Sequence, residues 1–291
     1  RDVSTGGITT DAAGNIYATS SFRSWSSGTA AQVYDGLNAV NTLFNPGIGL
    51  GYMIKLAPNG AWQWGVTFVN AGDGVNTLTS GTDIALDGSG NVWLSGQYSG
   101  ANATFYSTSG SNLSGPSSTG NRGFVAKYSP SGQALAVNTL QQTAGNSTQF
   151  WGIAINGNIV RAVGSYSGAN QGLNDALYAN YDLNANLQST NVFGSTGDDF
   201  IYAIRNYGSG FIKSGAVSAG TNIAGTILNS NQSFLWNTNA GGGLSGTASY
   251  LWSNGLTAED PTNLSAGKYI VTVTDANGCI TRDSVLITQP D

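Results

Sequence analysis

One hairpin, written four times, limits what this chain can fold into. Its clearest copy is Ile84-Ala85-Leu86-Asp87-Gly88-Ser89-Gly90-Asn91-Val92-Trp93-Leu94-Ser95-Gly96. Ile84 and Leu86 stand two apart, as do Val92 and Leu94, which is the period of a strand with one buried face. Between the strands, Gly and Asn supply the positive φ of a tight turn and the Asp carboxylate caps it. The same design recurs around Asp11-Ala12-Ala13-Gly14-Asn15, with Ile8 before it and Ile16 after. It returns at Ile153-Ala154-Ile155-Asn156-Gly157-Asn158-Ile159 with a shorter turn, and more loosely from Ile204 to Ile212. Successive copies are 76, 69 and 51 residues apart by the positions of Ile8, Ile84, Ile153 and Ile204.

A second hairpin alternates with the first. It is read from Gly51 to Trp64 around Pro58-Asn59-Gly60, and again from Gly123 to Leu135 around Pro130-Ser131-Gly132. A degenerate copy runs from Ala176 to Leu187, and the most eroded from Thr226 to Trp236. Pro presets φ and Gly takes the left-handed position of each turn. Two hairpins make four antiparallel strands per repeat, and such repeats, about 40–50 residues long, are the signature of a β-propeller blade. The longer spacings of the early repeats place insertions at 24–50 and 99–122, loops expected to share one face of the molecule.

The alternation of Asp-x-x-Gly-Asn-[Ile/Val]-[Tyr/Trp] with [Phe/Met]-[Val/Ile]-x-Lys-[Leu/Tyr]-x-Pro-x-Gly resembles the SBBP-type bacterial β-propeller repeat over residues 7–238. Proteins with that repeat are mostly large secreted or surface proteins, and the repeat carries no catalytic motif. The resemblance implies a propeller-like domain of about four blades at 1–238.

Composition breaks at the Gly-rich stretch 239–246. Beyond it, Trp252-Ser253-Asn254-Gly255, Asn263-Leu264-Ser265-Ala266-Gly267-Lys268-Tyr269 and Val271-Thr272-Val273-Thr274-Asp275-Ala276-Asn277-Gly278-Cys279 are similar to the repeat of SprB-type gliding adhesins of Bacteroidetes over 248–291. This implies an immunoglobulin-like β-sandwich module at 239–291, of a kind found in tandem in long surface proteins. An earlier cysteine commonly pairs with the one in this motif. Cys279 is the only cysteine here, so no internal disulfide forms, and it is either buried or an intermolecular link. The motif is also shorter than the roughly 100 residues of an immunoglobulin-like sandwich; two readings of 224–238 stay open, as strands lent to this module or as the eroded fourth repeat.

Composition agrees with an all-β class. Charged residues are only 9%, yet 40% hydrophobic content with 7 Trp, 13 Tyr and 10 Phe argues against disorder. No long stretch has helical periodicity. The net charge of −5 and 10 scattered basic residues offer no patch for phosphates, so nucleic acid is not an expected partner. No apolar run is long enough for a membrane helix. The chain carries no leader-like stretch and does not begin with Met, which reads as a mature or excised form. Few Lys and Glu among abundant Thr, Asn and Gly fit an exported, bacterial cell-surface protein. There is no histidine, which removes the usual general base and metal ligand, and a single cysteine excludes a thiolate zinc site. No catalytic residues, metal site or cofactor are expected.

Trp25 lies in the first insertion, and Trp62 and Trp64 stand two apart on an expected outer strand, pointing to one side. They are the candidate glycan or subunit contacts, with core packing as the plainer reading of the pair. Trp93 and Tyr17 occupy matching core positions, and Phe150 and Trp151 read as core as well. Each Asp-x-x-Gly-Asn turn offers calcium a single carboxylate, and Asp198-Asp199 reads as a surface turn. Asn102, Asn112, Asn146, Asn231 and Asn263 head N-glycosylation sequons, and Ser284 in Asp283-Ser284-Val285 resembles the O-glycosylation motif of Bacteroidetes. The expected function is a non-enzymatic structural or adhesive one, as a surface adhesin segment or the subunit of an extracellular filament that self-associates. Carbohydrate binding is the first alternative and a polysaccharide-degrading enzyme the second.

Overall fold

The structure, a computed structural model, describes residues 2–4, 6–23, 31–35, 38–43, 49–70, 79–100, 102–140, 146–168, 174–223, 226–239, 249–258, 261–262, 264–274 and 280–288. Trp25, Asn263 and Cys279 lie outside them. Every regular element among the described residues is a β-strand, and the chain forms two compact units, Arg1–Ala240 and Gly241–Asp291.

The first unit is a succession of antiparallel meanders. The first sheet has seven strands: a meander of Ile8–Thr10, Ile16–Arg23, Gly49–Leu56 and Trp62–Asn70, with Asp2–Ser4 also paired to Ile16–Arg23 and with Ala103–Phe105 and Leu113–Ser114 beyond Trp62–Asn70. The second runs Thr79–Leu86, Val92–Gly100, Ser118–Tyr128, Ala134–Thr139, and the third Ser147–Asn156, Ile159–Ser167, Asp175–Tyr181, Leu187–Phe193. Among the described residues the fourth has three strands, Phe200–Tyr207, Gly210–Val217 and Gln232–Asn239. The turns form as the sequence dictates: Gly14 and Gly90 adopt φ of 80° and 76° between paired antiparallel strands.

Three hydrophobic cores fill the spaces between consecutive sheets. Tyr17, Met53 and Phe68 of the first sheet meet Leu94, Tyr98 and Phe124 of the second. Trp93 and Val125, on the other face of the second sheet, meet Phe150, Ile153 and Leu177 of the third. Val163 and Tyr178 of the third meet Ile201, Ile204 and Phe211 of the fourth. The middle sheets are thus buried on both faces, so Ile159–Ser167 shows an almost unbroken buried run instead of alternation. Each fully buried Val, Leu or Phe contributes roughly 1.5–3 kcal/mol.

Four expectations are corrected here. The stretch from Thr226 to Trp236 is not a hairpin: Thr226–Ile227 pairs with Asn222–Ile223, while Gln232–Asn239 is the third strand of the fourth sheet. Residues 232–239 therefore do not supply strands to the C-terminal module, whose described strands Ser249–Trp252, Gly267–Thr274 and Ile280–Ile287 form one three-stranded antiparallel sheet. The 99–122 insertion is not a solvated loop. Ala103–Phe105 pairs with Trp62–Asn70 and with Leu113–Ser114, and buried Phe105 packs 4.9 Å from Phe124. Over Phe68–Asn70 the strand Trp62–Asn70 is consequently no free edge.

Candidate functional site

The three long first strands share one irregularity. Thr82, Trp151 and Tyr202 are each an extra residue in a β-bulge, shown by register breaks at Gly81/Asp83, Phe150/Gly152 and Ile201/Ala203. Opposite each bulge the second strand carries a glycine, Gly96, Gly164 or Gly215. A Cβ there would overlap the carbonyl oxygen of Ser80, Gln149 or Phe200, respectively. The glycine lets the bulged backbone approach, and the bulge re-aims its extra side chain.

These re-aimed residues link neighbouring sheets. Thr82 Oγ1 donates to the Phe150 carbonyl at 2.8 Å, next to Trp151. Trp151 stacks on Tyr202 with ring centroids 5.4 Å apart and planes 26° apart, and Phe200 lies 5.5 Å from Tyr202. Tyr202 is 51% exposed. Trp151, expected as core, is only half-buried because the bulge turns it out of the strand's alternation, while Phe150 is fully buried.

The first strands of all four sheets line a cavity of about 450 Å³; Trp151 and Tyr202 are not in its lining but precede Ile153 and Arg205 by two and three residues on the same strands. Thr9 and Thr10 come from the first sheet, Ile84 to Leu86 from the second, Ile153 to Ile155 from the third, and Arg205 and Asn206 from the fourth. Arg205 is the one charged residue in this lining. Its Nη1 donates to Asp83 Oδ2 at 3.0 Å and to the Ile204 carbonyl at 2.6 Å. Asp83 is buried and also accepts the Ile153 and Ile84 N–H groups at 3.1 and 2.9 Å. One carboxylate thus ties three sheets together and fixes the guanidinium, whose side chain remains 67% exposed.

The Asp turns are structural. Asp87 accepts from the Ser89 and Asn91 N–H groups, from Asn91 Nδ2 and from Trp93 Nε1, with Lys127 Nζ 3.7 Å away. Burial works to raise its pKa, but these donors outweigh burial and hold the carboxyl below its ordinary value. Asp11 and Asp182 repeat the arrangement with Asn15 and Asn186, whose side-chain amides lead in lowering their pKa. Asp199 is fully buried and accepts from Ser195, Ser218 and Thr221, where a surface turn was expected. Burial and then neighbouring Asp199 raise the Asp175 carboxyl. Among the described residues no three acidic or thiol ligands converge as a metal would require.

Two cations meet between the third and fourth sheets. Arg161 lies 4.5 Å from the Phe211 ring, with Nε donating to Asn180 Oδ1 at 2.6 Å. Lys213 Nζ sits 3.9 Å from the Trp236 ring centroid and 4.1 Å from that of Tyr178, with no hydrogen-bond acceptor among the described residues. Burial, with Arg161 adding to it, pushes the Lys213 amine down to about 6.

The tryptophans chosen from sequence are separated. A bulge between Lys55 and Leu56 pairs Trp64 with Lys55 but Trp62 with Leu56, so the two rings leave opposite faces. Trp64 packs at 6.1 Å from Tyr17 and donates Nε1 to the Pro130 carbonyl, whereas Trp62 joins Leu50 and Val69. Of the sequon residues, Asn102, Asn112 and Asn231 are exposed. Asn146 is half-buried and its Nδ2 donates to the Tyr166 hydroxyl at 2.6 Å, a contact that a glycan on this nitrogen would crowd. Ser284 is an exposed strand residue opposite Ile270. Sequence reasoning missed Tyr202, Trp151 and Arg205. The signal available for them was a glycine in each second strand facing an odd residue in the first. No family model and no curated protein matches the chain.

Proposed function

We propose that the chain is a non-enzymatic structural and adhesive protein of the bacterial cell surface or secreted matrix. In this reading it is an adhesin segment or filament subunit that associates with copies of itself. The observation that carries it is the fourth sheet, which has three described strands where the meander of each of the other three has four. Its outer strand, Gln232–Asn239, pairs on one side with Gly210–Val217 and has no strand on the other among the described residues. Leu235 on that strand is 73% exposed, and Tyr207 of the same sheet 58%. The strand contains no charged residue or Pro, the features that normally blunt an edge. A strand of a neighbouring copy supplies what the first three sheets supply for themselves, and a contact that does not close propagates as a fibre.

Successive sheets packed face to face support a propeller-like arrangement of blades, and the three-stranded C-terminal sheet supports an immunoglobulin-like module. Both agree with the SBBP-type and SprB-type resemblances, which add the surface location. The non-enzymatic reading is supported by the carboxylates of Asp11, Asp87, Asp182 and Asp199, all engaged by turn donors.

Sedimentation velocity and electron microscopy test the assembly. The intact chain is expected to form concentration-dependent oligomers or fibres, and Leu235→Lys to remain monomeric with an unchanged circular dichroism spectrum. A monodisperse monomer of the intact chain at high concentration refutes the proposal.

A further inference from the structure

The bulges of the third and fourth sheets build an exposed aromatic surface that the fold itself does not need. Bulged residues are free of the sheet's alternation, and a residue serving only the core would not require one. Trp151 and Tyr202 nevertheless stack on one another outside the three cores, leaving half of Tyr202 in solvent. Flat, half-exposed rings suit the apolar faces of pyranose sugars, with a polar group at the edge fixing orientation. Three residues along the same strand, Arg205 faces the cavity, at most roughly 10 Å from Tyr202 at 3.3 Å per residue. That separation is one or two sugar units.

The guanidinium is prepared for an anion. Its Nη1 is held by Asp83 and by the Ile204 carbonyl, which restrains the guanidinium of a residue that lines the cavity and whose side chain is 67% exposed. Asp83 spends its charge on Ile153 and Ile84 N–H groups as well. Arg presents paired N–H groups that match a carboxylate in bidentate fashion. The cavity volume of about 450 Å³ falls in the range of small-ligand sites.

We propose that this groove binds an acidic saccharide, with a sugar ring against Trp151 and Tyr202 and a uronate carboxylate on Arg205. This binding is separate from self-association, which uses the far edge of the fourth sheet, so the Leu235→Lys protein serves as a monomeric background in which the two ideas fail independently.

The probes are tri-galacturonate and, as its neutral counterpart, tri-galactose, each titrated into the full chain by calorimetry and by tryptophan fluorescence. Tri-galacturonate is expected to bind at least tenfold more tightly than tri-galactose, with affinity falling as salt is raised. Arg205→Gln should remove that preference, Arg205→Lys should retain part of it, and Tyr202→Ala should weaken both sugars. Thermal melts of each variant establish that it is folded, and the lysine variant keeps the test valid should the glutamine variant unfold. Absence of binding at millimolar tri-galacturonate overturns the proposal. So does equal affinity for the two sugars, or wild-type binding by folded Arg205→Gln and Tyr202→Ala proteins.

Discussion

Replacing Lys213 with Met is expected to stabilise this protein. Lys213 is 1% exposed and its amine has no acceptor among the described residues. Its pKa falls from 10.5 to about 6 on folding. At 1.36 kcal/mol per unit, keeping the amine deprotonated at pH 7 costs about 5 kcal/mol. Deprotonated, the amine is no cation for the Trp236 and Tyr178 rings to stabilise, so nothing in this contact offsets that cost. Methionine keeps the stem and the ring contacts without the amine, so Lys213→Met should gain about that amount.

The sign of the pH effect separates this account from simple repacking. A base whose pKa is lowered in the folded state leaves the unfolded chain holding more protons between the two pKa values. Stability of the wild type should therefore rise from about pH 6 toward pH 10, by up to about 1.4 kcal/mol per unit from this group. The chain has no histidine, so few other groups titrate in that window. Urea unfolding followed by tryptophan fluorescence at pH 6, 7, 8 and 9 measures both proteins. The expected result is a higher midpoint for Lys213→Met at pH 7 and a flatter pH profile. A variant less stable than wild type at pH 7, or one with the same pH slope, would refute the reasoning.

Asp87→Ala should cost about 3 kcal/mol, because it strands the donors of Ser89, Asn91 and Trp93 beside Lys127; denaturant midpoints check it. Gly164→Ala should lower the thermal midpoint severely, since the new methyl meets the Gln149 carbonyl and the bulge has to open; an unchanged midpoint would count against the glycine–bulge pairing. Burial raises the hydroxyls of Tyr98, to about 12, and of Tyr128 and Tyr181. The unfolded chain loses these protons first, so stability should fall above about pH 10, with part of the phenolate absorbance appearing only on unfolding. Native protein should exceed the 29.8 kDa of the bare chain if Asn102, Asn112 or Asn231 carries glycan, and peptide mapping should find Asn146 unmodified.

The features legible in the sequence were those fixed over short distances. The turn after Asp87 needs a carboxylate, a glycine at positive φ and an asparagine, all within five residues. It appears as read, as do the hairpins of the first three sheets. Long-range register was not legible. One inserted residue puts Trp62 and Trp64 on opposite faces, and three more expel Thr82, Trp151 and Tyr202 from their strands, yet local spacing looks the same with or without a bulge. The 99–122 insertion reads as a polar loop until Phe105 is seen filling the first core. The fourth repeat failed for a related reason. Thr226 and Ile227 carry strand-forming side chains, but their partner is Asn222–Ile223, and no outer strand follows Gln232–Asn239 within the described part of that sheet.

The cross-strand pairs show why the fourth sheet behaves as an end. In the first two sheets an aromatic residue on the second strand, Tyr17 or Trp93, faces a lysine on the third, Lys55 or Lys127. Each lysine reaches forward to the next sheet. Lys55 Nζ donates to the Pro130 carbonyl at 3.3 Å and Lys127 Nζ to the Leu183 carbonyl at 2.7 Å, both in turns between third and fourth strands. In the third sheet the cation moves to the second strand as Arg161, opposite Asn180, and still points forward, to Phe211. In the fourth sheet the pair is inverted, with Lys213 on the second strand and Trp236 on the third, and the lysine points back to Tyr178. Two basic side chains therefore share the last interface, where burial first and Arg161 second lower the Lys213 amine, and among the described residues no cation of the fourth sheet reaches forward in the same way. The forward chain of cation contacts stops at the fourth sheet, whose last described strand, Gln232–Asn239, is an uncharged edge.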